Sequence, residues 1–142
     1  MINMETVKAL RAMRLPGMAR ELEFQLEDPQ RYKGLSFEER LGLLVDMENA
    51  SRKKNAIKRR LRDAQLSERQ ASVEAIEYHE DRELDRSLIM KLATCSYIRN
   101  NHHVILKGAA GAGKTYIANA LGVAACRQLY KVRYVRLPGF TE

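Results

Sequence analysis

The sequence contains no tryptophan, three prolines and two cysteines among its 142 residues. No apolar run approaches the roughly 18 residues of a membrane span, and the N-terminus carries charges where a signal peptide needs an apolar stretch. Cys95 and Cys126 have no Cys or His nearby at metal-ligand spacing. We therefore expect no membrane span, no export by that route, no disulfide framework and no zinc site, in a protein of the reducing cytoplasm.

Apolar residues make up 45% of the chain and charged residues 30%, which is ordinary for a globular protein. The length suits one domain or two very small ones. The net charge of +7 leaves several partners open: nucleic acid, an acidic protein, an anionic membrane surface, or none beyond the gain in solubility.

The first part of the chain has the pattern of a helical domain, which we place at residues 1–65. Short helices are predicted over 4–14 and 18–27, separated by the Pro16-Gly17 pair. Ser36 and Glu39 form a capping box that predicts the start of a long helix, uninterrupted by proline as far as Gln65.

The second half of that long helix is strongly basic. Seven cations and no acidic residue fall between positions 51 and 62: Arg52, Lys53, Lys54, Lys58, Arg59, Arg60 and Arg62. On a helical wheel they leave only a narrow apolar stripe, so the segment is predicted to expose most of its circumference. This favours binding to the phosphates of double-stranded DNA with little base selectivity. A solvated helix face without nucleic acid is the alternative.

An acidic stretch follows and is predicted to be a linker over 66–82, although it could also pair with the basic helix in cis. In the third segment, 83–142, leucines at i, i+4 and i+8 predict a helix over 84–98 with a kink. Apolar and alternating runs predict strands at 103–107 and 130–136, on either side of a helix over 114–128. The predicted fold class is therefore α plus α/β: a helical domain followed by the start of an α/β core.

Between the first predicted strand and its helix, the sequence satisfies the phosphate-loop pattern G-x-x-x-x-G-K-[ST]. Its residues are Gly108, Ala109, Ala110, Gly111, Ala112, Gly113, Lys114 and Thr115, and Tyr116 completes the predicted nucleotide-binding set. The glycines permit positive φ and close approach of backbone N–H groups to phosphate. Lys114 would reach the β and γ phosphates of ATP, and the Thr115 hydroxyl would coordinate Mg²⁺. The competing interpretation is a Gly/Ala-rich turn that merely caps a helix.

Several segments in the same order make the chain resemble the IstB-like ATP-binding helper proteins of insertion-sequence transposition. These proteins are relatives of the DnaC-type helicase loaders among the AAA+ ATPases. The similar segments run from about Leu15 to the last residue and include LPGMA, LSFEERLGLLVDME, KRRLR, LATCSYIR, GAAGAGKTYIANALG and VRYVRLP.

The resemblance implies an N-terminal helical domain for partner and DNA contacts, and an ATPase core that assembles with other copies on DNA and directs a transposase to its target. A DnaC-like loader, whose partner is a replicative helicase, is one alternative. A non-enzymatic fragment that binds DNA or a partner, with a vestigial loop, is another.

An acidic Walker B strand is missing after the loop, since the only acidic residue beyond Thr115 is Glu142. We therefore predict no catalytic residue in this chain and nucleotide binding without hydrolysis. The expected explanation is that the sequence is the N-terminal part of a longer family member.

Overall fold

The computed structural model describes residues 2–79, 83–108 and 113–137. Six α-helices lie in these ranges: α1 (Ile2–Ala12), α2 (Pro16–Glu27), α3 (Phe37–Ala64), α4 (Arg86–Ala93), α5 (Ser96–Arg99) and α6 (Lys114–Arg127). Short 3₁₀ turns occur at Pro29–Tyr32 and Val73–Ala75. Two compact units divide the chain between Asn55 and Ala56, within α3.

Helix α3 begins where the sequence predicts, whereas α1 and α2 each begin two residues before the predicted positions 4 and 18. Pro16 and Gly17, predicted to separate the two short helices, belong to α2. Pro16 occupies the first turn of α2, where its missing N–H costs nothing. Ser36 Oγ accepts a 3.1 Å hydrogen bond from Glu39 N at the start of α3, and the Glu39 carboxylate accepts one from the Ser36 hydroxyl. The predicted start of the long helix is therefore confirmed.

Close helix contact and buried polar groups hold the first unit together. A Cβ built on Gly17 would lie 2.7 Å from Met47 O and 2.8 Å from Glu48 Cα, so α2 and α3 touch where only glycine fits. Glu48 Oε1 accepts hydrogen bonds from the backbone N–H groups of Gly17 and Met18, and Arg52 Nε donates to Glu48 Oε2 at 2.9 Å. The α2 N-terminus is thus capped by a carboxylate from α3.

The second unit has an apolar core built around α6. One buried cluster comprises Ala71, Val73, Ile76, Ile89, Ile117, Ala120 and Leu121. A second comprises Ala64, Leu66, Val123 and Cys126. The predicted kink in the helix over 84–98 is confirmed as a break between α4 and α5, where Cys95 adopts a φ of 64°.

Two expectations differ from the structure. No strand is found in the described residues, so those predicted at 103–107 and 130–136 are absent there; a strand requires a hydrogen-bonded neighbour, and Tyr134 N donates instead to Ala64 O. The segment predicted as a linker is packed from Leu66 to Ile76, with Leu66, Ala71, Val73 and Ile76 buried. The apolar residues of this segment follow neither a helix nor a strand period, so their burial could not be predicted from the sequence pattern.

Both cysteines are fully buried, and burial raises the pKa of each thiol. Both therefore act as small apolar residues of the core. None of the helices in the described part of the chain has the length and apolarity needed to cross a membrane.

Candidate functional site

The described part of the phosphate loop consists of its two ends. Gly113 immediately precedes α6 and adopts a φ of 88°, a conformation that glycine takes without strain. The predicted positive φ is thus confirmed at Gly113, while Ala109, Ala110, Gly111 and Ala112 lie outside the described residues. The free N–H groups of the first turn of α6 are those that bind anions at helix N-termini.

Lys114 joins the two ends of the loop. Its Nζ donates a 2.5 Å hydrogen bond to Gly108 O, six residues earlier in the chain. The ammonium group is therefore held against the first residue of the loop, where it can exchange a carbonyl oxygen for a phosphate oxygen.

Thr115 lies exposed on the first turn of α6, next to Lys114. Its backbone carbonyl accepts a 2.8 Å hydrogen bond from Asn119 Nδ2, one helical turn later. The exposed hydroxyl suits the predicted role as a Mg²⁺ ligand, because hydroxyl oxygens are among the ligands of magnesium in phosphate-loop sites.

A cavity of about 210 Å³ opens beside the end of the loop. Its walls are Ala75, Ile76, Glu77, Gly113, Tyr116 and Ile117. One wall therefore comes from the segment after α3 and the other from the first turns of α6. Because Gly113 belongs to both the loop and the cavity, a molecule whose phosphates lie in the loop could extend into it.

The seven cations predicted to bind DNA differ in exposure and in bonding. Six are exposed, and Arg60 is half-buried with its Nε 3.2 Å from Leu129 O. Arg52 pairs with Glu48 and Arg62 with Asp63. Four exposed cations form no ion pair with any residue that the structure describes: Lys53, Lys54, Lys58 and Arg59. These four are the most available for phosphate contacts.

Sequence reasoning missed Asn119 and the wall formed by residues 75–77. Asn119 is fully buried. Asparagine is usually exposed, and when it is buried its polar atoms are normally hydrogen-bonded. The available signal was a single polar side chain on an otherwise apolar helix face, four residues after Thr115. The cavity wall had no signal, because it depends on how an irregular segment folds back on α6.

Comparison with known proteins adds two findings. A model of the family described as IstB-like ATP binding protein matches residues 8–141. Relatives named as insertion-sequence ATP-binding proteins also match over nearly the whole chain. That of insertion sequence IS1162 from Pseudomonas fluorescens is 42% identical over 100% of this chain and 61% of its own length.

Two further relatives carry similar names. One from Sinorhizobium fredii is 37% identical over 94% of this chain and 54% of its own length. One from Mycobacterium tuberculosis is 34% identical over 90% of this chain and 50% of its own length. The chain therefore spans about half to three fifths of the length of these relatives.

Proposed function

The chain belongs to the IstB-like ATP-binding protein family, and from this premise we propose that it binds ATP with Mg²⁺ at residues 108–116. We propose further that it binds double-stranded DNA through the basic segment of α3, as a helper that directs a transposase to its target. The observation that carries the first proposal is the placement of Lys114 Nζ against Gly108 O, at the start of a helix preceded by a glycine of positive φ.

In this proposal each described residue of the loop has one task. The α6 N-terminus and its free N–H groups attract the phosphate oxygens. Lys114 would exchange its bond to the Gly108 carbonyl for bonds to the terminal phosphates, and the Thr115 hydroxyl would be a ligand of Mg²⁺, which would neutralise part of the phosphate charge. The cavity lined by Ala75, Ile76 and Tyr116 receives the base.

Removing the ammonium group tests the nucleotide proposal. Lys114→Ala should weaken binding of a fluorescent ATP analogue in the presence of Mg²⁺ by about ten- to a hundredfold, because a hydrogen bond to a charged group contributes roughly 1.5–3 kcal/mol. Titration by fluorescence anisotropy measures the effect.

The matched control is Lys107→Ala, which removes the same charge from an exposed residue one position before the loop. Equal affinity of Lys114→Ala and Lys107→Ala would contradict the assignment of Lys114.

The DNA proposal is carried by the four exposed cations without an ion pair, Lys53, Lys54, Lys58 and Arg59. Each phosphate contact contributes about 0.9 to the slope of log affinity against log salt concentration. Changing all four to glutamine should therefore make that slope shallower by up to about 3.6 and weaken duplex binding at low salt.

The control is a variant that loses four positive charges outside the basic segment of α3. Four other exposed cations serve for this purpose: Lys8, Arg14, Arg31 and Lys33. Their replacement by glutamine should leave most of the salt slope in place. If the two quadruple variants lose equal slope, the effect comes from net charge and the basic segment is not the binding surface.

A further inference from the structure

Asn119 connects the helix that carries Lys114 and Thr115 to the segment that follows α3. Its Nδ2 donates to Thr115 O at 2.8 Å and to Ser67 Oγ at 3.0 Å, and its Oδ1 accepts from Glu68 N at 3.1 Å. The side chain is fully buried, so it exchanges no hydrogen bonds with water. Three bonds to two separate stretches of chain hold those stretches together.

Tyr116 makes a second connection to the same segment. Its hydroxyl oxygen accepts a 3.3 Å hydrogen bond from Ser72 N, and Ser72 Oγ accepts one from Ala75 N at 3.2 Å. Ser72 is the N-cap of the 3₁₀ turn Val73–Ala75, whose last residue lines the cavity. Hydrogen bonds therefore run from the first turn of α6 to the opposite cavity wall.

The cavity lies between the elements that these bonds join. Ala75, Ile76 and Glu77 form one wall, and Gly113, Tyr116 and Ile117 form the other. Neither Asn119 nor its partners Ser67 and Glu68 line the cavity. Asn119 therefore acts on a molecule in the cavity through the segments that it joins and not by direct contact.

We propose that Asn119 and Tyr116 are positioning residues for the nucleotide base: they fix the wall of residues 75–77 against the phosphate-loop helix. This inference rests on the proposed nucleotide function. It implies that the two bonded contacts control how much the base adds to binding, while the loop itself binds the phosphates.

The test compares two ligands on the 142-residue chain, ATP and inorganic tripolyphosphate, each titrated with Mg²⁺ by calorimetry. The wild-type chain should bind ATP more tightly than tripolyphosphate. Asn119→Ala should reduce this preference by about tenfold, because two partners in the segment after α3 lose their hydrogen bonds. Asn100→Ala makes the same change at an exposed position and should keep the wild-type preference.

Tyr116→Phe keeps the ring and removes only the acceptor for Ser72 N, so it should reduce the preference by about threefold and provides a second measurement if Asn119→Ala fails to fold. A loss of affinity for both ligands by the same factor in Asn119→Ala, or an unchanged preference in Tyr116→Phe, would overturn the inference.

The wild-type result separates the two proposals. Equal affinity of the wild-type chain for the two ligands would overturn the positioning role and leave phosphate-loop binding standing. Binding of neither ligand would overturn the proposed nucleotide function, and the positioning role with it.

Discussion

The two units of the chain differ in the kinds of side chain that they bury. In the described part of the first unit the buried apolar side chains are Val7 and Ala19, beside the polar residues Glu21, Gln25 and Glu48. Among its described residues, the second unit buries two apolar clusters around α6 and one polar side chain, Asn119. The first unit therefore depends on a few specific contacts, whereas the second depends on apolar area, with one amide holding an irregular segment in place.

The key polar residue of each unit also differs in charge. Burial by itself would raise the pKa of Glu48, but hydrogen bonds from Arg52, Met18 and Gly17, together with the Arg52 charge, outweigh burial and hold the pKa below its usual value. Asn119 does not titrate. The comparison thus predicts that pH changes the stability of the first unit through Glu48, while the contribution of Asn119 to the second unit is constant.

The largest effect should come from the close helix contact in the first unit. Gly17→Ala places a Cβ within 3.0 Å of the backbone of Met47 and Glu48, and backbone cannot move aside as a side chain can. We expect the free energy of unfolding of this unit to fall by about 3 kcal/mol. Hydrogen exchange of α2 amides, followed by mass spectrometry, measures it, and α6 amides should keep their protection.

Gly42→Ala is the matched control for Gly17→Ala. It lies inside α3, and apart from the adjacent residues and backbone of that helix no described atom lies within 4 Å of the added Cβ. The substitution should stabilise the helix by about 0.5–1 kcal/mol, the opposite sign. If the two variants behaved alike, helix propensity would explain both and the helix contact would not limit stability.

Much of the first unit could be predicted because its helix boundaries are local signals. Pro16 and the Ser36–Glu39 pair act on residues within one turn. The start of α3 at the Ser36–Glu39 pair is confirmed, whereas Pro16 begins α2 two residues before its predicted start. The Glu48 cap joins residues 31 positions apart, and no local pattern encodes such a contact.

The second unit shows the same limit at its functional site. The loop motif, the α6 boundaries and the positive φ of Gly113 follow from residue types and spacing. The predicted strands do not, because strand formation depends on a neighbouring segment as well as on the apolar pattern. Asn119 was likewise missed, since its partners Ser67 and Glu68 come from a part of the chain with no periodic pattern.

An intermediate loss of stability is expected from a substitution at Asn119, the uncharged member of the comparison. Asn119→Ala should lower the free energy of unfolding of the second unit by about 2 kcal/mol, because Thr115 O, Ser67 Oγ and Glu68 N lose their hydrogen bonds to a buried side chain. Since an amide does not titrate, the loss should be the same at neutral and at acidic pH. Hydrogen exchange of α6 amides, corrected for intrinsic rates, measures it, and a loss that varies with pH would contradict the comparison.

The smallest effect should come from Glu48→Gln, which keeps an acceptor for Gly17 N but removes the charge paired with Arg52. The folded pKa of Glu48 is below the ordinary value of 4.5, so the charge stabilises the fold above pH 4.5 and this contribution disappears as pH falls through the folded pKa. The variant should therefore be less stable than wild type by about 1 kcal/mol at neutral pH and equally stable at low pH.

Asp46→Asn makes the same carboxylate-to-amide change at an exposed position of α3, two residues earlier, and should show little difference at either pH. If Glu48→Gln lowered the free energy of unfolding equally at neutral and at low pH, the shape of the Glu48 side chain and not its charge would stabilise the α2 N-terminus. That result would contradict the prediction that pH changes the stability of the first unit through Glu48.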